Sequence, residues 1–326
     1  MKVADMHCDT IYEINRLQKE GKECCLKNNH LNISIEKMKK GDYLIQNFAM
    51  FTHLQETDNP ITHVNQMIDT FYNELEKNKD EISIVYSYDD IMKNQESHKM
   101  SALLTLEEGG VVCNDLAYLR NYYRLGVRMI TLTWNFSNGI GYPNFDIDGD
   151  KHGYDEFDNI HGLTEFGIEY VREMERLGII IDVSHLSDAG FYDVLKYTNA
   201  PFVASHSNAR NVCSHARNMT DDMIKKLAER GGVMGINYAA GFLEENAEMS
   251  RVEAMVKHIE YIRDLAGIDC IGLGSDFDGI SQNLELKDCS YLPVLEKALY
   301  EHGFSQEEVE KIFYKNVLRV YQQVLK

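Results

Sequence analysis

No stretch of about 18 uncharged apolar residues occurs in this chain of 326 residues, so no membrane-spanning helix is expected. The opening Met1-Lys2-Val3-Ala4-Asp5 carries an acid at its fifth position with no long apolar run behind it, which does not read as a secretory signal. Seven cysteines (Cys8, Cys24, Cys25, Cys113, Cys213, Cys270 and Cys289) include no CxxC pair. That disfavours a disulfide framework and a thiolate zinc site, and the expected compartment is a reducing cytoplasm. Positive charge is the scarcer sign: 33 Lys+Arg stand against 52 Asp+Glu, a formal charge of −19. Such a balance repels phosphate backbones and anionic membrane surfaces, so a nucleic-acid partner is not expected; an acidic surface also serves solubility alone. Also missing are a Pro/Gly/Ser-rich linker and any self-similar repeat, so one domain over residues 1–326 is expected.

What is present is a globular balance, 44% hydrophobic and 26% charged, in a chain long enough to bury a large core without disulfides. Short apolar runs rich in β-branched residues recur at Val3–Met6, Ile45–Phe51, Ala102–Leu106, Met129–Trp134, Ile179–Val183, Phe202–Ala204, Val233–Ile236 and Cys270–Leu273. Their hydrophobicity is continuous rather than alternating, as in parallel strands covered on both faces. Amphipathic segments lie between them. Thr164 caps one whose apolar residues Phe166, Tyr170, Met174 and Leu177 share a face, with Gly178 as its stop. Ser305-Gln306-Glu307-Glu308 is a capping box opening the last helix, with Val309, Ile312, Phe313 and Val320 on one face. Eight strands alternating with helices predict an α/β fold, a closed (β/α)8 TIM-type barrel. The longest irregular stretch, Asn138–His161, is a candidate lid. Its Asp146-Ile147-Asp148-Gly149-Asp150 hints at a calcium loop, but Lys151 and Phe157 occupy the positions where an EF-hand needs Gly and Glu.

Barrel enzymes place their chemistry at the C-terminal ends of the strands. Here those ends read His7-Cys8-Asp9, Glu107-Glu108-Gly109-Gly110, Asp182-Val183-Ser184-His185, Ala204-Ser205-His206-Ser207 and Gly274-Ser275-Asp276-Phe277-Asp278-Gly279. Each has a bland explanation as a solvated loop start, a helix cap or a satisfied core histidine. Together they concentrate imidazole and carboxylate at a cost that packing does not explain. With no thiolate the set suits Zn²⁺ or Mn²⁺, and its size exceeds what one catalytic zinc uses, so a binuclear metal site is expected.

These pieces, in this order and with Gly162-Leu163-Thr164-Glu165-Phe166-Gly167, Ile181 and Arg217-Asn218 added, make nearly the whole chain resemble the membrane dipeptidase (renal dipeptidase) family of zinc metallopeptidases, peptidase family M19. The resemblance implies a dipeptidase with two Zn²⁺ per chain, Mn²⁺ or Fe²⁺ being alternatives. His7 and Asp9 would hold one metal and His185 and His206 the other, with Glu108 bridging because it directly precedes the glycine pair. A hydroxide between the metals would attack the peptide carbonyl. Asp276 would carry the proton, and Arg217 would hold the substrate's free carboxylate. Trp134 stands where the family often shows a histidine that binds substrate. Trp134 itself, Asn135, His152 and His161 are the candidates to take over that contact. The resemblance also implies a homodimer, while the signal sequence and C-terminal anchor of membrane-bound relatives are not expected. Three other readings compete: an amidohydrolase or lactonase acting on another small amide or ester, a non-catalytic metal-binding protein, and a DNA-processing metal barrel. The His-x-Asp opening disfavours the first, the spare carboxylate of Asp276 the second, and the charge the third.

Overall fold

The structure, a computed structural model, describes residues 1–145 and 156–326. Nine parallel strands are present among them: β1 (Val3–Asp5), β2 (Tyr43–Phe51), β3 (Ile82–Ile84), β4 (Met100–Glu107), β5 (Val127–Thr131), β6 (Ile180–Asp182), β7 (Val203–Ala204), β8 (Val233–Ile236) and β9 (Ile271–Leu273). Eight of them pair in the order β1-β2-β4-β5-β6-β7-β8-β9, and β9 returns to β1 through Asp5 and Leu273, which closes the barrel. Each apolar run named above overlaps one of these eight strands. The ninth, β3, was not anticipated. It pairs with Met100–Ala102 on the edge of β4 that β5 takes over from Leu104, and so lies outside the closed ring.

Parallel strands must be linked by crossovers, and the crossover helices cover the outer face. The helix Glu165–Leu177 begins where Thr164 Oγ1 accepts the Gly167 N–H at 2.9 Å and stops at Gly178, whose φ of +80° suits glycine. The Ser305 capping box forms as read from sequence, but the last helix is not continuous. A π-helical turn at Lys311–Lys315 separates Gln306–Glu310 from Asn316–Val324. That offset lets Val317, Val320 and Tyr321 pack onto the barrel's inner residues Ala4, Met6, Leu103, Met129, Ile180, Val203 and Val233. The Tyr321 hydroxyl reaches Asn47 inside the barrel, donating to Oδ1 at 2.9 Å. The helix also meets the chain just before β8, where Arg319 donates to the Gly231 carbonyl at 2.6 Å. The N-terminal mouth is thereby plugged, and the open mouth is at the strand C-termini.

The loop read as a lid lies partly outside the described residues: Asp146–Asp150, Lys151 and His152 are not among them. Its two described flanks are tied together by Asn144, whose Oδ1 accepts the N–H groups of Asp158 and Asp188 and whose Nδ2 donates to Asp188 and the Ala216 carbonyl.

Candidate metal centre and substrate cavity

Past the end of β1 the regular ladder gives way to isolated backbone bonds, such as the bridge of Cys8 with Phe277, and the N–H of His7 needs another partner. Asp5 supplies one: its Oδ1 accepts the N–H of His7 at 3.2 Å and of Ser275 at 3.0 Å. Asp182 does the same across the barrel, with Oδ1 accepting the N–H of Ser184 at 3.0 Å and of Ser205 at 2.8 Å. Its Oδ2 accepts the hydroxyls of Thr131 at 2.6 Å and Ser205 at 2.5 Å. These buried carboxylates fix the chain just before His7, His185, His206 and Asp276. The backbone they hold is strained: Glu108, His185 and Asp276 have φ of +90°, +70° and +60°. Such left-handed positions cost about 1–3 kcal/mol each and persist only where surrounding structure imposes them. Glycine is required nearby, since a Cβ on Gly279 would sit 2.1 Å from Asp9 Oδ2 and 2.7 Å from Asp276 Oδ1.

The side chains converge. His7 Nε2 lies 3.1 Å from Glu107 Oε2, 3.5 Å from Asp9 Oδ2 and 3.8 Å from Asp276 Oδ1. Across the carboxylate, Glu107 Oε1 is 3.1 Å from His185 Nε2 and 3.7 Å from His206 Nε2. All six groups are buried. The outer nitrogens set the tautomers. Asn135 Oδ1 lies 2.7 Å from His185 Nδ1 and can only accept, so Nδ1 carries the proton. Ser205 Oγ gives its hydrogen to Asp182 and therefore accepts from His206 Nδ1 at 2.6 Å. Both Nε2 atoms are then lone pairs, and they face each other 3.1 Å apart.

Protonation does not relieve that contact. Burial and the charge of Arg217 push His185 down to about 4, and burial with the charges of His7 and Arg217 holds His206 well below its ordinary range. Asp9 is pushed up to about 7 by burial and the adjacent charge of Glu107. Glu107 itself falls below the usual carboxylate range, its burial opposed chiefly by the charge of His7. Facing lone pairs, a crowded carboxylate pair and the orphaned buried atoms His7 Nδ1, His7 Nε2 and Asp9 Oδ1 fit a cationic metal centre. Two sets of donor atoms mark it, His7/Glu107/His206 and His7/Asp9/Asp276.

One expected residue does not join the cluster. Glu108, read as the bridging ligand, turns away: its Oε1 accepts the Gly110 N–H at 2.6 Å and the Asn138 side-chain N–H, and its Oε2 accepts the Trp134 N–H at 2.9 Å. Glu107 occupies the central position instead. The reason is strand alternation. Leu103 on β4 belongs to the inner cluster, whereas Leu104 and Leu106 belong to the outer core, so the inward series runs 103, 105, 107. In the sequence only Thr105, the one polar residue of Ala102–Leu106, marks that inward face, whereas counting back from the glycine pair puts the residue one place too far. Asp5, Asp182 and Ser205 were also missed as supports of the site.

The remaining candidates line two adjoining cavities. The smaller, of about 340 Å³, holds Asp9, Glu107, His185, Asp276, Trp134, Asn135 and Arg217. The larger, of about 710 Å³, shares Asn135, Arg217 and Phe242 with it. Arg217 is buried, donates from Nη2 to the His206 carbonyl at 3.1 Å, and leaves Nε and Nη1 without a partner. Asp276 Oδ2 accepts from Asn237 Nδ2 at 2.8 Å, and burial raises its carboxyl above the ordinary range. The Trp134 ring packs against Phe51, His53 and Phe136. His161 is not brought to the site: it pairs with Asp158 and stacks on Tyr142.

The family model for membrane dipeptidases, peptidase family M19, matches residues 1–326. Dipeptidase tcpJ of Claviceps purpurea (strain 20.1) is 33% identical over 260 residues, which cover 79% of this chain and 59% of that protein. Dipeptidase 3 of Rattus norvegicus is 35% identical over 245 residues, covering 75% of this chain and 48% of that protein. The chain thus spans about half to three-fifths of the length of these curated relatives. A solved dipeptidase described as a metallopeptidase of family M19 superposes with a TM-score of 0.90 at 25% identity, covering 100% of this chain and 99% of that one.

Proposed function

The chain belongs to the membrane dipeptidase family, peptidase family M19, and on that premise we propose that it is a metal-dependent dipeptidase with two zinc ions. The observation that carries this reading is the pair of bare Nε2 atoms of His185 and His206, 3.1 Å apart in a buried pocket beside Glu107. His7 and Asp9 would hold one ion and His185 and His206 the other, with Glu107 rather than Glu108 between them. Manganese or iron would meet the same donors. Bound metal supplies an acidified water, with a pKa of about 7, and polarises a carbonyl oxygen.

The protein's own groups do the rest. The free Nε and Nη1 of Arg217 form a planar fork suited to the C-terminal carboxylate of a dipeptide. That anchor favours a peptide over a neutral lactone or cyclic amide. Asp276 Oδ1 faces the cluster while Asn237 holds Oδ2, so Oδ1 takes the proton of the attacking water and returns it to the leaving amine. The small cavity admits few residues beyond those flanking the scissile bond. A cytoplasmic location is supported by seven unpaired cysteines. No helix among the described residues is long and apolar enough to cross a membrane. A homodimer, read from the family resemblance, is checked by sedimentation. The decisive experiment is metal analysis with hydrolysis of a dipeptide panel before and after chelation. Zinc-dependent turnover is expected; no turnover of any dipeptide by the metal-loaded protein overturns the reading.

A further inference from the structure

Resting on the dipeptidase reading, we propose that this chain selects dipeptides by a bulky apolar side chain on the N-terminal residue, which packs on a wall of Tyr12, Phe51, Trp134 and Ile280, and leaves the C-terminal side chain unselected. The two cavities meet at Arg217, which lines both. A dipeptide with its carboxylate on Arg217 and its carbonyl at the histidine cluster has one direction left for its first residue, along the smaller cavity away from Arg217. The lining of that cavity includes the large apolar side chains Tyr12, Phe51, Trp134 and Ile280, with the acids Glu13 and Asp278 beside them.

These four side chains are large and apolar yet only partly buried. Tyr12 meets Phe51 edge-on with centroids 5.4 Å apart, and Phe51 meets Trp134 at 5.0 Å. The wall is braced from behind. The Trp134 N–H is held by Glu108, and its ring rests against His53 at 4.9 Å and Phe136 at 5.6 Å. A leucine or phenylalanine side chain laid on this wall removes apolar surface from water on both partners, whereas glycine leaves the wall wet. The larger cavity is mixed: Phe145 and Phe242 line it beside Ser214, His215, Glu245 and Asn246, a set that favours no single side-chain class.

The test measures kcat/KM of the zinc-loaded protein on Gly-Gly, Leu-Gly, Phe-Gly and Gly-Leu. Trp134 is the one tryptophan of the chain, so its emission also reports occupancy of the wall without turnover. Leu-Gly and Phe-Gly are expected to exceed Gly-Gly by about tenfold or more, and Gly-Leu to stay within about threefold of it. A reduced-amide analogue of Leu-Gly should shift Trp134 emission, and the analogue of Gly-Leu should not. Trp134→Ala should collapse the Leu-Gly to Gly-Gly ratio to about threefold or less, whereas general structural damage would lower both substrates alike and keep the ratio. Gly-Leu outpacing Leu-Gly, or a ratio that survives Trp134→Ala, overturns the inference and leaves the dipeptidase reading standing. The reverse separation is equally readable: a Leu-Gly analogue that shifts Trp134 emission while no dipeptide is cleaved supports the wall and overturns the reading of the activity.

Discussion

Glu107 and Glu108 are neighbours with opposite surroundings, and exchanging each for glutamine should separate ligation from structural support. The Glu108 carboxylate is fully buried and accepts three N–H groups, two on Oε1 and one on Oε2. An amide in its place keeps one oxygen for Gly110 and Asn138 and turns its NH₂ toward the Trp134 N–H, donor against donor. An orphaned buried donor costs about 1–3 kcal/mol. At about 2.1 cal/mol/K per residue, the unfolding entropy of 326 residues converts that into a Tm lowered by roughly 2–4 °C. Metal content should be unchanged. Glu107→Gln should do the reverse. Each Glu107 oxygen faces a different ligand group, Oε2 toward His7 and Oε1 toward His185 and His206. Its loss should weaken zinc binding by more than the roughly 10–100-fold typical of outer-shell partners. Zinc stoichiometry after dialysis at buffered free zinc, read beside thermal unfolding in chelator, decides the matter. Zinc lost from Glu108→Gln and retained by Glu107→Gln would refute the assignment.

Asp276→Asn should keep both metals and lower kcat by about 10²–10⁴-fold; turnover near wild type in a zinc-replete assay would remove Asp276 from the proton path. Arg217→Met should lower kcat/KM on dipeptides by about 10–150-fold, the worth of charged hydrogen bonds of about 1.5–3 kcal/mol, with most of the change in KM. An unchanged KM would place the substrate carboxylate elsewhere. His258, buried with Nδ1 accepting from Ala209 N–H and Nε2 on the Leu243 carbonyl, is pushed down to about 4 by burial. Above pH 6.5 its ring is neutral in both states. As pH falls toward 4 the unfolded chain takes the proton first, so stability drops, by about 2 kcal/mol between pH 7 and pH 5. Urea midpoints at those two pH values should differ less in His258→Gln, and an equal difference would exclude His258 as the source.

The barrel was legible because continuous apolar runs are what strands buried on both faces require, and each of the eight runs overlaps a strand of the closed ring. Ile82-Ser83-Ile84 was not, since three residues pairing with one partner carry no run to detect. The caps at Thr164 and Ser305 are local hydrogen bonds and could be read locally. The π turn at Lys311–Lys315 depends on how the last helix meets the barrel floor, which local sequence does not encode. At the site, residue types were legible and directions were not. His7, Asp9, His185, His206 and Asp276 converge as read. The choice between Glu107 and Glu108 turned on which face of β4 each side chain leaves, and that is settled by the inner position of Leu103, four residues upstream of Glu107. Asn135 looked like a substrate contact from its neighbours in sequence, yet its Oδ1 is committed to His185 and fixes that ring's tautomer.

Asp5 and Asp182 explain why ligands can stand on such short strands. β6 and β7 are three and two residues long, and β1 and β9 are three each. Beyond strands that short only scattered backbone bonds continue, such as Asp9 N–H to the Phe277 carbonyl, Val183 N–H to Val203 and Ser207 N–H to Gly235. The buried N–H groups between them would be left unpaired. One carboxylate per side removes two of them: Asp5 takes His7 and Ser275, and Asp182 takes Ser184 and Ser205. The next residue along, or the one after it, is in each case His185, His206 or Asp276, or His7 itself. A fold selected for packing alone would have no use for this device, because burying two carboxylates to support strained left-handed backbone costs more than ending the strand in solvent. The cost becomes intelligible when the supported residues must present lone pairs to one point. The polar support beneath the cluster is therefore independent physical evidence, alongside the donor geometry, that the barrel mouth is built to hold cations.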